Sequence, residues 1–159
     1  MMKTKRDNIA EYILHLWQME DVVRAFGNDE AMQQNQFLVD LQQMMRQEGV
    51  MEKGHVQLAE NALAELEELH CELLDTEATY RAALMQLQPQ LNILKSKSDN
   101  PVQSDLRMMF VFLYNFMLLH LQKKEISTET GFLQQQISRL LAYLSKVYKE
   151  SRDDNETTL

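Results

Sequence analysis

The residue most open to chemistry in this sequence is Glu20. It stands four residues after Leu16 and three before Val23, which on a helix puts it in the middle of an apolar face. A buried carboxylate must pair or become neutral, because an isolated charge is costly away from water. Arg24, one turn on, is the nearest candidate partner. Without such a pair, Glu20 reads as a ligand or a proton-handling group. A second candidate is the run Glu67-Glu68-Leu69-His70. It contains Glu-x-x-His, the half-motif with which carboxylate-bridged di-iron bundles project a Glu and a His from one helix toward two metals. A complete site needs a second half-motif and two more glutamates from other helices, and for want of that second half the metal reading is set aside.

Other reactive residues carry less. Glu11 and His15 are four apart, a bidentate helical spacing but not that motif, and with His55 they add to the inventory of possible ligands. His55 and His70 fall on or near one apolar helix face, where a histidine is more often a hydrogen-bonded core residue than a base. Cys71 follows His70 directly; neighbours on a helix point about 100° apart, so the two are not a nucleophile and its base. Glu65, Glu68 and Glu72 share one face, which a solvated helix surface explains as well as a basic partner does. No Gly-rich phosphate loop, nucleophile elbow or zinc spacing is present.

The elements that must hold these residues read as helices. Only 4 Gly and 2 Pro punctuate 159 residues, too few for the turns of a sheet protein. Asp7 or Asn8 can cap a first helix whose apolar stripe runs Ile9, Tyr12, Ile13, Leu16, Met19, Val23 and Phe26. Gly27 and Asn28 are expected to end it in the left-handed conformation. Asp29 then caps a second helix that Gly49 closes. The third segment starts near Lys53, and from Ala59 to Leu94 its apolar rhythm is unbroken by Gly, with Thr76 the weak link. One long helix is favoured there over two separated near Asp75–Glu77, with Pro89 kinking the later part. Lys95–Asn100 reads as a polar linker. Asn100 and Pro101 signal the next helix start, Ser127 or Thr128 the last one, and residues 151–159 an acidic tail.

The balance of 16 Lys and Arg against 24 Asp and Glu gives a net charge of −8. Seven carboxylates and no Lys or Arg lie between Gly54 and Tyr80. Nucleic-acid backbones and anionic membranes both require clustered cations, so neither is an expected partner. Met108 to Leu121 is the most apolar stretch, with only Asn115 and His120 polar. It is too short to cross a bilayer and reads as a core helix. The single cysteine fits a reducing compartment, and no signal-peptide core follows the basic start, so a cytoplasmic location is expected.

The run Asn8-Ile9-Ala10-Glu11-Tyr12-Ile13-Leu14, continuing to Asp21, resembles the opening of an uncharacterised helical family of Bacteroidetes, domain of unknown function 4924. Lys123-Lys124-Glu125-Ile126-Ser127-Thr128-Glu129-Thr130 is similar to its second characteristic stretch. The resemblance implies a small one-domain helical protein and no particular activity.

The expected fold is therefore all-α: a single antiparallel, up-and-down bundle of five or six helices over residues 1–150, with the apolar helix near 101–122 at its centre. A non-enzymatic protein acting through protein contacts is the favoured function, with no cofactor. The alternative is a metal-binding or carboxylate-dependent bundle enzyme using Glu20, Glu67, His55 and His70. Glu20, Arg24, His55, Glu67, His70 and Asn115 are the candidate functional residues. A homodimer is expected if the second face of the 101–122 helix is left bare, with Asn115 meeting its symmetry mate.

Overall fold

The Asn8 side chain opens the first helix, accepting the free backbone N–H of Glu11 at 3.1 Å, so that α1 runs Ile9–Phe26. In the computed structural model, which describes residues 3–100 and 103–157, every described element is a helix. The chain packs as two compact units, Met1–Glu65 and Leu66–Leu159.

In the first unit α1 buries Ile9, Ile13, Leu16, Trp17 and Val23, while Phe26 stands in solvent. The buried stripe is thus turned toward Trp17, away from the expected end at Phe26. Gly27 is right-handed, with φ −58°, not left-handed as its position suggests. Its lack of a side chain serves a close approach, for a Cβ there would lie 2.7 Å from Gln42 Nε2. The expected second helix is split in two. Asp29 caps a short α2, Glu30–Gln33, and the chain leaves helical geometry before Asn35 caps α3, Gln36–Glu48. Asn35 is itself a good cap, accepting the Leu38 N–H at 3.2 Å, and this local bond competes with a continuous helix. Gly49 closes α3 in the left-handed conformation, φ 73°.

Residues 50–56 form an irregular loop before α4, Gln57–Thr76. The next helix, α5, spans Ala78–Ser96 with Pro89 inside it. Between them Glu77 alone is extended, with φ −122° and ψ 108°. The favoured single helix over residues 53–94 is therefore wrong, and the two-helix alternative is right. Periodicity survives the break because one non-helical residue scarcely disturbs the rhythm of the apolar positions.

α6 spans Asp105–Leu121 and starts from Ser104, whose hydroxyl accepts the Arg107 N–H at 3.0 Å. Pro101 lies outside the described residues, and the start expected at Asn100–Pro101 falls later by about one turn. The last helix, α7, spans Thr128–Thr157; Ser127 caps it as expected, accepting the Thr130 N–H. It continues past Ser151, where a tail is expected, and Arg152 lies over the Tyr148 ring, 4.8 Å from its centroid, a cation–π contact that favours helix in this polar stretch. α5, α6 and α7 pack against one another. Leu84, Leu87, Leu91, Phe110, Ile137 and Leu141 are among the residues they bury.

The fold is an all-α bundle, with seven helices among the described residues rather than five or six. In α6 the buried residues are Leu106, Met108, Met109 and Phe110. Beyond Phe110 none of residues 111–121 is buried. The apolar helix is a core element over its first turns only.

Candidate functional site

Glu20 is fully buried, 0% exposed, but its partner is not Arg24. The carboxylate reaches out of α1 to the 50–56 loop. Oε1 accepts Nδ1–H of His55 at 2.7 Å and Oε2 accepts the Val56 N–H at 2.7 Å. The Val56 N–H belongs to the first residues at the α4 N-terminus, where unsatisfied donors and the helix dipole favour a negative charge. His55 is held a second way. Its ring stacks on Trp17, 4.3 Å between centroids and 10° from parallel. A buried charge that accepts hydrogen bonds at both oxygens meets the condition for carrying it in an apolar core.

Arg24, one turn beyond Glu20, clasps the same loop. Its guanidinium donates to the carbonyls of Val50, Met51 and Gly54, at 3.0, 3.2 and 2.6 Å, and pairs with Asp21. Side-chain reach explains why the expected pair is not made. Glu20 and Arg24 share a helix face, and both are spent on a loop whose backbone groups have no helix of their own to bond to.

The Glu67/His70 half of the inventory lies in the second unit and does different work. Glu67 accepts the Ser104 hydroxyl at 2.9 Å, tying α4 to the cap of α6. His70 is buried, and its Nδ1 meets the Tyr80 hydroxyl at 2.5 Å across the Glu77 break. Burial pushes the His70 imidazole below its ordinary value, against the opposing pull of Glu67 and Asp105. Burial, reinforced by Glu67, pushes the Tyr80 phenol up. Both groups are thereby kept neutral: the phenol donates to Nδ1, and Nε2 carries the imidazole proton. Cys71, next in sequence, points outward and is exposed. Tyr143 of α7 donates to the Glu77 carboxylate at 2.6 Å, so the break residue is fixed from a third helix. That hydrogen bond raises the Tyr143 phenol.

The Glu-x-x-His spacing does recur, at Glu52-Lys53-Gly54-His55, contrary to the sequence analysis. It lies in the irregular loop, where the two side chains have no common helix face, and His55 is committed through Nδ1 to Glu20. Among the described residues no group of three or more His, Cys, Asp or Glu side chains is arranged to hold a metal ion. The structure brings Glu20 and His55 together, and separately His70 with Tyr80. Trp17 and Tyr80, which complete these clusters, were missed as site residues. Only their place on the buried stripes signals them.

Asn115 is exposed, and around it Val111, Phe112, Phe116, Leu118 and Leu119 are only half-buried. Leu121 is 60% exposed. No helix among the described residues is long and apolar enough to cross a membrane.

No curated protein and no solved structure matches the chain. A family model described as a domain of unknown function, DUF4924, matches residues 1–36 and 27–155. With nearly its whole length so matched, from the capped opening of α1 to the last helix, the chain belongs to the DUF4924 family.

Proposed function

We propose that this protein is a non-enzymatic helical scaffold that works by protein contact through residues 111–121 of α6, its first partner being a second copy of the chain. The observation that carries the reading is the incompletely covered end of that helix, apolar at nearly every position and buried at none. Contiguous apolar surface of this kind is uncommon on monomeric proteins and marks interaction sites. A second copy is the simplest cover, because the segment holds no carboxylate or ammonium group and two chains of net charge −8 meet there without like-charge contact. Symmetric dimers are also the commonest oligomers. Asn115 on this surface then pairs with its mate and sets the register. The free, exposed Cys71 supports residence in the reducing cytoplasm, and the two family-like stretches support a Bacteroidetes source.

Light scattering on the purified protein tests the proposal. The expected mass is twice the 18.7 kDa of the chain, returning to the monomer value in Phe116→Glu. A monomer at high concentration, with Asn115→Leu more stable than the parent, removes it.

A second reading, a carboxylate-dependent enzyme, draws support from Glu20 and His55 alone, since a buried carboxylate orienting an imidazole is half of a general-base arrangement. Elemental analysis of tag-free protein bears on its metal-dependent form: a transition metal near one per chain would favour that reading over the scaffold.

A further inference from the structure

The second unit contains a groove between α5 and α7 with a cavity volume of about 380 Å³. Its floor is Leu87, Leu140 and the Tyr80 ring, and Ala83, being small, leaves the space open. The Tyr143 ring stands at one end, tilted 32° to Tyr80 with centroids 6.1 Å apart. Two charged groups line it, Glu77 and Arg139. They are not equivalent. The Glu77 carboxylate already accepts the Tyr143 hydroxyl at 2.6 Å, whereas the Arg139 guanidinium has no hydrogen bond or ion pair among the described residues. Arg139 stands one turn before Tyr143 on α7, which puts cation and ring on the same helix face.

We propose that this groove binds a small aromatic acid, its ring against Tyr80, Leu87 and Tyr143 and its carboxylate on Arg139. The volume falls at the lower end of the range for small-molecule pockets. Apolar walls with polar groups at the rim, Thr79, Gln86 and Gln136 beside the two charges, give affinity from the body of the ligand and orientation from its charge. An acid is selected over an amine because the Arg139 guanidinium is uncommitted, whereas one oxygen of the Glu77 carboxylate already accepts the Tyr143 hydroxyl. An aromatic body is selected because the wall is two tyrosine rings, and offset or edge contacts between rings add to simple burial. Guanidinium–carboxylate pairing, bidentate in its best geometry, is the strongest contact the groove offers.

Titration of the full chain with cinnamate and with cinnamamide, followed by amide chemical shifts, tests the assignment. Cinnamate is expected to bind about tenfold more tightly than its neutral amide, with shifts centred on Ala83, Leu87, Leu140 and Tyr143. Arg139 is exposed, so Arg139→Gln leaves the fold intact; it should bring cinnamate down to the level of the amide and leave the amide unchanged. Ala83→Leu should close the groove to both. Equal binding of acid and amide to the parent chain, shifts confined to other helices, or preference for the acid that survives Arg139→Gln would each overturn the proposal.

Discussion

Glu20 and His55, thirty-five residues apart in sequence, meet at 2.7 Å, and through this contact the core of α1 fixes the loop that launches α4. Removing the carboxylate strands His55 Nδ1 and the Val56 N–H together. Loss of one partner of a buried charged pair commonly costs ~3–5 kcal/mol, so Glu20→Ala should lower the melting temperature far more than Glu68→Ala, which alters an exposed position. Thermal unfolding of the two variants side by side checks this; similar small losses would place the Glu20 carboxylate in water.

Stacking on His55 gives Trp17 a distinctive environment, and Trp17 is the single tryptophan of the chain. His55→Ala should therefore change the fluorescence of the folded protein, with helix content by circular dichroism nearly unaltered. An unchanged emission spectrum would contradict the stacked geometry.

The three loop carbonyls that Arg24 holds need a planar set of donors. Lysine offers a flexible point charge in its place. Arg24→Lys should thus destabilise by about 1 kcal/mol, the net worth of a typical hydrogen bond, since the carbonyls are only partly buried or exposed, measured by urea unfolding. A loss within error of zero would mean that water replaces the guanidinium at no cost.

His70 makes acid stability depend on pH. Its folded value lies below the ordinary 6.5, so under acid conditions the unfolded chain binds the extra proton. The stability that neutral His70 supplies is complete above about pH 6.5 and declines as pH falls below it. His70→Gln keeps a hydrogen-bonding side chain without the titration. The melting temperature of the parent should fall more steeply than that of the variant between about pH 6.5 and pH 5; parallel curves would exclude His70 as the source.

At the end of α6, Lys123 holds the left-handed conformation, φ 56°. Its N–H and that of Lys124 bond back to the carbonyls of His120 and Leu119, the arrangement in which glycine is usual. Lys123→Gly should raise stability by about 0.5–1 kcal/mol, since a side chain is disfavoured there. Denaturant midpoints decide it, and a loss of stability would show that the lysine side chain makes a compensating contact.

The sequence by itself determined that the chain is helical, because apolar residues recur at steps of three and four and few residues break them. It also placed a cap at Asp29 and narrowed two others to Asp7 or Asn8 and to Ser127 or Thr128, a signal that is local chemistry. It singled out Glu20 as a buried charge needing a partner, since burial follows from position on the stripe. Only the tertiary structure decided which partner. The candidate within reach in sequence, Arg24, turns to backbone carbonyls, and His55 reaches Glu20 through a loop whose path no periodicity encodes. The break at Glu77 was legible only as the less favoured alternative near Asp75–Glu77. It is held by contacts between residues distant in sequence, Glu77 with Tyr143 and His70 with Tyr80, while the local pattern favours a continuing helix. The bareness of α6 beyond Phe110 was decided at the same level, because an apolar helix is compatible with a core or an interface until its neighbours are placed.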